Sequence, residues 1–176
     1  VLQNIFEGLV AMDRTGKLVP ALAQSWTLAS DNLTYTFKLR PNARFHDGTP
    51  FASRDVKFSF ERAVAPDSTN AQRWIFTPIE SIEAPDPITV IIKLKQPTAN
   101  FVYGLSWGDA IIVSPATAAN NKTNPVGTGP FKFARWNRGD RLELARNDEY
   151  WGTKPALAKA VFRFISDPQA QVAALR

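Results

Sequence analysis

His46 and Asp47 are the only neighbouring histidine and carboxylate in the sequence, and His46 is the only histidine in the chain. A histidine oriented by a carboxylate can act as a general base. Adjacent residues rarely orient each other in that way, and Asp47-Gly48-Thr49-Pro50 is typical of a turn in which the aspartate bonds its own backbone. The pattern therefore favours a loop histidine with local hydrogen bonds over a catalytic base.

A glycine-rich segment, Gly127-Thr128-Gly129-Pro130, loosely resembles a phosphate-binding loop. It lacks the Lys-Ser/Thr ending of a P-loop, and it precedes a predicted strand, whereas a P-loop precedes a helix. Because glycine has no Cβ, this segment can approach another backbone or a ligand closely. The spacing therefore predicts a tight turn rather than a phosphate site.

Two aromatic segments could bind a planar ligand. Trp107 follows a predicted helix in a polar loop, where it offers a stacking face to a ligand or packs beneath the loop. The segment 131–136 mixes aromatic rings with cations, as nucleic-acid platforms do. Strand alternation divides these side chains between two faces. A half-buried strand with a solvated face is therefore favoured over a nucleic-acid-binding module.

Composition narrows the classes of protein further. The 176 residues are 44% hydrophobic and 21% charged, which is typical of one globular domain or lobe. Cysteine is absent and histidine occurs once, which excludes disulfides, thiol nucleophiles and a multi-histidine metal site. The net charge of +5 permits an acidic partner, but cations and anions are interspersed. We expect no cofactor, no metal and no signal peptide in this sequence.

Hydrophobic periodicity predicts the elements that position these groups. Strands are predicted at 9–12, 25–28, 34–40, 79–84, 89–95, 131–136, 141–146 and 161–165. These strands and several short helices predict an α+β fold whose sheets are mainly antiparallel or mixed, with flanking helices.

Three helices carry specific predictions about their ends and faces. The segment 1–9 reads as the end of a helix closed by Gly8. Ser53 is the predicted N-cap of the next helix. The buried face of that helix is predicted to comprise Val56, Phe60, Ala63 and Val64. A final helix is predicted to begin at 167–168, with Val172 and Leu175 facing inward.

Several segments, in order and with conserved spacing, resemble one known family. The densest group of matches is 23–26, 34–40, 45–51 and 55–59. Further matches are Ile5-Phe6-Glu7-Gly8-Leu9, the loop 125–131, Arg146-Asn147 with Tyr150-Trp151-Gly152 and Lys154-Pro155, and Asp167-Pro168 with 173–175. The chain resembles the family 5 solute-binding proteins of ABC transporters, of the dipeptide, oligopeptide and nickel type. Asn32 stands where the family often has glycine, and asparagine tolerates the left-handed conformation that this turn needs.

The resemblance implies that residues 1–176 form a partial N-terminal lobe, part of lobe I of a two-lobed periplasmic binding protein (type II, cluster C-like). The first strand and the second lobe of the family are absent from this sequence. The implied function is capture of a peptide or similar small solute for delivery to an ABC permease, without catalysis. Binding of a nickel chelate, an opine or a sugar stays open. A periplasmic location is implied, or a membrane-anchored extracellular one in a Gram-positive organism, with a monomeric full-length protein.

The candidate ligand-binding residues follow from the resemblance together with the properties of the side chains. They are Phe6, Glu7, Gly8, Trp107, Gly127, Thr128 and Gly129. Glycine backbones permit close approach, and a loop tryptophan offers a stacking face. The family's acidic anchor for a peptide amine belongs to the second lobe and matches no residue here. We therefore expect the isolated chain to bind its ligand weakly or not at all.

Overall fold

The computed structural model describes residues 2–174, which form two antiparallel sheets, a short hairpin and flanking helices. The helices are α1 (Leu2–Ile5), α2 (Ser53–Val64), α3 (Phe101–Gly104) and α4 (Pro168–Ala173), with single 3-10 turns at Arg73–Ile75 and Ala118–Asn120. The strands are β1 (Val10–Met12), β2 (Leu18–Pro20), β3 (Ala23–Leu28), β4 (Thr34–Leu39), β5 (Ile79–Asp86), β6 (Thr89–Leu94), β7 (Phe131–Asn137), β8 (Arg141–Arg146) and β9 (Lys159–Arg163). The predicted α+β class is confirmed.

Strands β3, β4, β6 and β5 lie side by side in a four-stranded antiparallel sheet. In its central pair, Tyr35 lies opposite Ile92 and Phe37 lies opposite Val90. These four side chains and Leu39 are buried, which confirms the alternation predicted for β4 and β6. Because one face of both central strands is apolar, that face forms the main core.

The turn that precedes β4 is held by its own polar residues. The carboxylate of Asp31 accepts hydrogen bonds from the backbone N–H of Leu33 at 2.8 Å and of Thr34 at 3.0 Å. Asn32 has a φ of 56°, in the left-handed region that asparagine tolerates better than most residues. The expected turn is therefore retained with asparagine in place of glycine.

Helix α2 packs its apolar side against β5 and β6 of the main sheet. Val56, Phe60 and Ala63 are buried as predicted. Val64, predicted on the same face, is 37% exposed, so that assignment is wrong. Val64 is the last residue of the helix.

The N-cap of α2 differs from the prediction. Ala52 occupies the cap position with extended backbone, and Ser53 is the first helical residue. The Ser53 hydroxyl instead donates to the carbonyl of Asp86 at 2.6 Å, which ties the helix to the end of β5. The carboxylate of Asp55 accepts the Ala52 backbone N–H at 2.8 Å and so satisfies a free donor at the helix start.

Strands β7, β8 and β9 form the second sheet. Phe131 and Leu144 from this sheet belong to a smaller buried cluster with Ile5 and Phe6 near the N-terminus. The N-terminal segment is therefore packed mainly against the second sheet, while the main sheet holds the larger core.

The N-terminal region corrects two further predictions. Helix α1 ends at Ile5, so Gly8 does not close it. A Cβ at Gly8 would lie 2.9 Å from the Ala110 carbonyl oxygen, which shows that glycine is needed there for close packing instead. The strand β2, which pairs with β1, was not predicted from the sequence.

The last strand and the last helix are of the predicted types, but the bounds of the strand and the buried face of the helix differ from the prediction. The last strand, β9, begins and ends two residues before the predicted strand at 161–165. Helix α4 starts where it was predicted, but Val172 is 57% exposed, so its inward orientation is wrong. The predictions for Val1 and Leu175 lie outside the described residues. Among residues 2–174, no helix has both the length and the apolar character needed to cross a lipid bilayer.

Replacing Phe37 with alanine tests the main core. Phe37 is fully buried in the central strand β4, so Phe37→Ala should lower the free energy of unfolding by about 3–5 kcal/mol. Thr27→Ala, at an exposed position of β3, should change it by less than about 0.5 kcal/mol. Urea denaturation measures both, and equal effects of the two changes would contradict this assignment of the core.

Candidate ligand-binding site

The extended segment that follows α1 is the centre of the candidate site. Its backbone is bonded on several sides: the Gly129 N–H donates to the Ile5 carbonyl at 2.8 Å, and the Ile112 N–H donates to the Glu7 carbonyl at 2.9 Å. The Leu22 N–H donates to the Gly8 carbonyl at 3.2 Å. Three distant parts of the chain thereby fix the positions of Phe6, Glu7 and Gly8.

The Glu7 carboxylate accepts three side-chain hydrogen bonds. Tyr150 donates to Oε1 at 2.6 Å, and Trp151 and Thr128 donate to Oε2 at 2.8 Å and 2.9 Å. Burial raises the pKa of Glu7, while these hydrogen bonds and the charge of Arg40 oppose that change. The Arg40 guanidinium lies 4.2 Å from the centre of the Trp151 ring. The carboxylate therefore joins three segments of the chain and is largely occupied by internal donors.

Gly127 and Gly129 lie directly against the backbone of the N-terminal segment. A Cβ at Gly127 would overlap the Ile5 carbonyl oxygen, and one at Gly129 would lie 2.6 Å from the Asn4 carbonyl oxygen. Thr128, between them, has no exposed surface and donates to Glu7. The sequence left open whether these glycines approach a backbone or a ligand, and the structure places them against a backbone.

His46 fastens the same loop from its other side. The Gly127 N–H donates to Nδ1 of His46 at 3.3 Å, so Nδ1 carries no proton and Nε2 donates to the Gly129 carbonyl at 3.0 Å. Burial lowers the pKa of His46, which favours this neutral ring. Asp47 bonds the backbone N–H and hydroxyl of Thr49 at 3.0 Å and 2.7 Å, as a turn aspartate does. The predicted local hydrogen bonding is confirmed for Asp47, but it is wrong for His46, whose ring nitrogens bond Gly127 and Gly129, 81 and 83 residues away.

Four predicted site residues border one hollow of about 250 Å³: Phe6, Glu7, Gly8 and Trp107. Met12 and Gln3 also line it, so its wall combines apolar, aromatic and polar groups. The loop 127–129 does not line this hollow and contacts its wall through Phe6 and Glu7. The seven predicted residues are thus neighbours, but they divide into a lining group and a supporting group.

Trp107 belongs to an exposed group of three aromatic rings. Its ring is 5.8 Å from that of Trp74 and 6.3 Å from that of Tyr103, in both cases edge to face. The exposed fractions are 53% for Trp74, 42% for Tyr103 and 38% for Trp107. Trp74 and Tyr103 were not predicted as site residues. The spacing of Tyr103 and Trp107, four residues apart next to a helix, was the available signal for one of them.

Among the described residues, no three His, Cys, Asp or Glu side chains gather where they could hold a metal ion. The exposed group near the hollow that is suited to binding is the aromatic surface of Trp74, Tyr103 and Trp107.

Comparison with known proteins identifies the class to which this chain belongs. Residues 17–176 match the model for bacterial extracellular solute-binding proteins, family 5, middle region. The glutathione-binding protein GsiB of Pectobacterium atrosepticum is 36% identical over 181 residues, covering 100% of this chain and 35% of that protein. The chain belongs to the family 5 bacterial extracellular solute-binding proteins, as the sequence resemblance implied.

Two solved structures show the same fold. The binding protein AgaA from A. tumefacien, in complex with agropinic acid, has a TM-score of 0.92 and 38% identity, covering 99% of this chain and 36% of that one. The ABC transporter-associated periplasmic binding protein DppA from Helicobacter pylori, in complex with a peptide, has a TM-score of 0.88 and 34% identity, covering 98% and 39%. This chain therefore spans a little over a third of the length of these relatives and has the fold of the corresponding part.

The contact between the glycine loop and Ile5 can be tested by adding one methyl group. Gly127→Ala forces a Cβ into the Ile5 carbonyl, so we expect a loss of about 2–4 kcal/mol in the free energy of unfolding. Gly108→Ala is the matched control, because its Cβ would lie 3.7 Å from the nearest atom, Nε2 of Gln3. Thermal or urea unfolding distinguishes them, and a neutral Gly127→Ala would show that the loop is packed differently.

The neutral state of His46 predicts a dependence of stability on pH. Its pKa is lowered in the folded protein, so unfolded chains bind more protons once the pH falls below about 6.5. The stabilisation is complete above that pH and is lost as the pH falls through the folded-state pKa. In His46→Gln, the amide can accept from Gly127 and donate to Gly129 without titrating.

The measurement is the free energy of unfolding of wild type and His46→Gln between about pH 7 and about pH 5. Wild type should lose more stability than the variant over this interval. Parallel pH profiles would show that His46 does not have the lowered pKa.

Proposed function

We propose that this chain is most of the first lobe of an ABC-transporter substrate-binding protein, which captures a peptide or similar small solute. The observation that carries this proposal is the hollow formed by Phe6, Glu7, Gly8 and Trp107, beside the exposed rings of Trp74 and Tyr103. Ligand sites are concave and mostly apolar with a few placed polar groups, as this hollow is. Relatives named for glutathione, peptide and agropinic acid support a small solute of this kind.

Two titratable groups near the candidate site, Glu7 and His46, are already used within the protein. The Glu7 carboxylate accepts from Tyr150, Trp151 and Thr128, and both ring nitrogens of His46 bond the glycine loop. A general base needs access to the proton that it abstracts. These contacts support the proposal of a binder that leaves its ligand chemically unchanged.

The paired charges on β7–β9 argue against the alternative function of a nucleic-acid-binding module. The Glu143 carboxylate bonds Arg141 and Lys159, each at 2.7 Å, and these two cations lower its pKa to about 2. Lys132 lies 3.9 Å from Glu149. Cations that are paired in this way offer a weaker field to phosphates than a basic groove does.

The family implies partners that lie beyond this chain. We propose that a second lobe completes the cleft, and that closure of the two lobes retains the solute because each contributes contacts. Delivery to an ABC permease, a periplasmic or extracellular location and a monomeric state are part of the same proposal. The family's description as extracellular solute-binding proteins supports the location.

A binding assay tests the role of Trp107. In the natural polypeptide that carries this chain, isothermal titration calorimetry with trialanine, glutathione and agropinic acid should detect at least one ligand. Trp107→Ala should raise the Kd for that ligand at least about tenfold, because a stacking face is lost. Trp136→Ala is the control, since Trp136 is similarly exposed but lies on β7 beside Arg138.

Two outcomes would contradict the proposal. Binding of none of the three solutes would argue against a binder of this ligand class. An equal effect of Trp107→Ala and Trp136→Ala would argue against the hollow as the ligand site.

A further inference from the structure

The only methionine of the sequence, Met12, lies on the wall of the hollow at Trp107. It is the last residue of β1, and exposure along that strand rises from 2% at Val10 to 37% at Met12. A side chain that lines a hollow and also meets solvent lies at the mouth of that hollow. Met12 is therefore within reach both of a ligand in the hollow and of reagents dissolved in water.

Backbone pairing and a bonded turn hold Met12 in this position. Met12 lies opposite Leu18 in the hairpin of β1 and β2. In the turn that follows, the Asp13 carboxylate accepts from the backbone N–H of Thr15 at 2.8 Å and of Lys17 at 3.0 Å. Within residues 2–174, neither of the two buried clusters includes Met12. A chemical change of this side chain can therefore alter the hollow without disturbing the core.

We propose that Met12 is an oxidation site, and that its conversion to methionine sulfoxide by hydrogen peroxide weakens binding in the hollow at Trp107. The thioether sulfur attacks one peroxide oxygen, the O–O bond breaks and an S–O bond forms. The departing hydroxide takes the proton left on the transferred oxygen and leaves as water. Sulfur loses two electrons and the peroxide gains them. The chain has no cysteine, so no thiol in it competes for the oxidant.

The wall around Met12 explains why this oxidation would affect a ligand. Phe6, Val10, Ala11 and Trp107 line the same hollow, and each offers an apolar or aromatic surface. A thioether suits such a wall because it is flexible, apolar and polarizable. A sulfoxide is polar, and it must lose water when an apolar part of a ligand covers it. The effect on binding rests on the proposed function, whereas the site of oxidation does not.

The first measurement is the extent of oxidation at Met12. The natural polypeptide is treated with hydrogen peroxide, digested and analysed by mass spectrometry. Because Met12 is exposed, the peptide that carries it should gain one oxygen at a rate within about tenfold of that of methionine in a short unfolded peptide. This measurement needs no ligand.

The second measurement is calorimetry before and after the treatment, with whichever of trialanine, glutathione and agropinic acid the untreated protein binds. Oxidation should raise the Kd for that solute at least about threefold, because the sulfoxide has to be desolvated. Met12→Leu is the control, since leucine keeps a similar volume and cannot form a sulfoxide. Its Kd should match that of untreated wild type and should not respond to Met12 chemistry. Peroxide should shift the midpoint of thermal unfolding equally in both proteins.

Three results would overturn the oxidation site and leave the proposed function standing. They are a Met12 peptide that stays unoxidised, an unchanged or lower Kd for oxidised wild type, and an equal rise in Kd for wild type and Met12→Leu. Binding of none of the three solutes by the untreated protein would instead overturn the proposed function, and the effect of oxidation on binding with it. The mass measurement would still decide whether Met12 is oxidised.

Discussion

The contact on which the rest of the site depends is the close approach of the glycine loop to the backbone at Ile5. It requires two positions without a Cβ, Gly127 and Gly129, because any side chain there meets a carbonyl oxygen. This approach places Thr128 against the carboxylate of Glu7 and brings the loop within reach of His46. The N-terminal segment thus acquires a defined position from a backbone contact, and the side chains that border the hollow follow from it.

Some residues of the candidate site are bonded within the protein, and others are exposed beside the hollow. Glu7 is a carboxylate beside a cleft and so resembles an anchor for a cationic ligand, yet three donors already occupy it. Its burial raises its pKa, and the same donors make burial of the charge tolerable. The side chains beside the hollow that stay exposed are aromatic, Trp107 and Trp74. The most conspicuous polar residue of the sequence motif, Glu7, is therefore bonded within the protein, and the exposed side chains beside it are aromatic.

Features that depend on neighbouring residues in the sequence could be predicted, whereas contacts between distant segments of the chain could not. The strands β4 and β6 and three of the four residues predicted on the buried face of α2 were predicted correctly, because burial imposes a period that is visible in a few residues. The strand β2 was missed, since three residues show no period and its order comes from pairing with β1. Phe6, Glu7, Gly8 and Trp107 were predicted as neighbours from a family pattern. The choice of Ile5 as the partner of Gly127, and the grouping of Trp74 with Trp107, depend on packing between distant segments and leave no local trace.

The hydrogen bonds of Glu7 join residues that are 121, 143 and 144 positions apart. A ribosome makes the chain in the direction from N-terminus to C-terminus, so Glu7 emerges before Thr128, Tyr150 and Trp151. During synthesis the carboxylate stays in water, which costs nothing, until its donors arrive and allow it to be buried. The wall of the hollow at Glu7 is thus completed only after segments 121 to 144 residues further along the chain have been made.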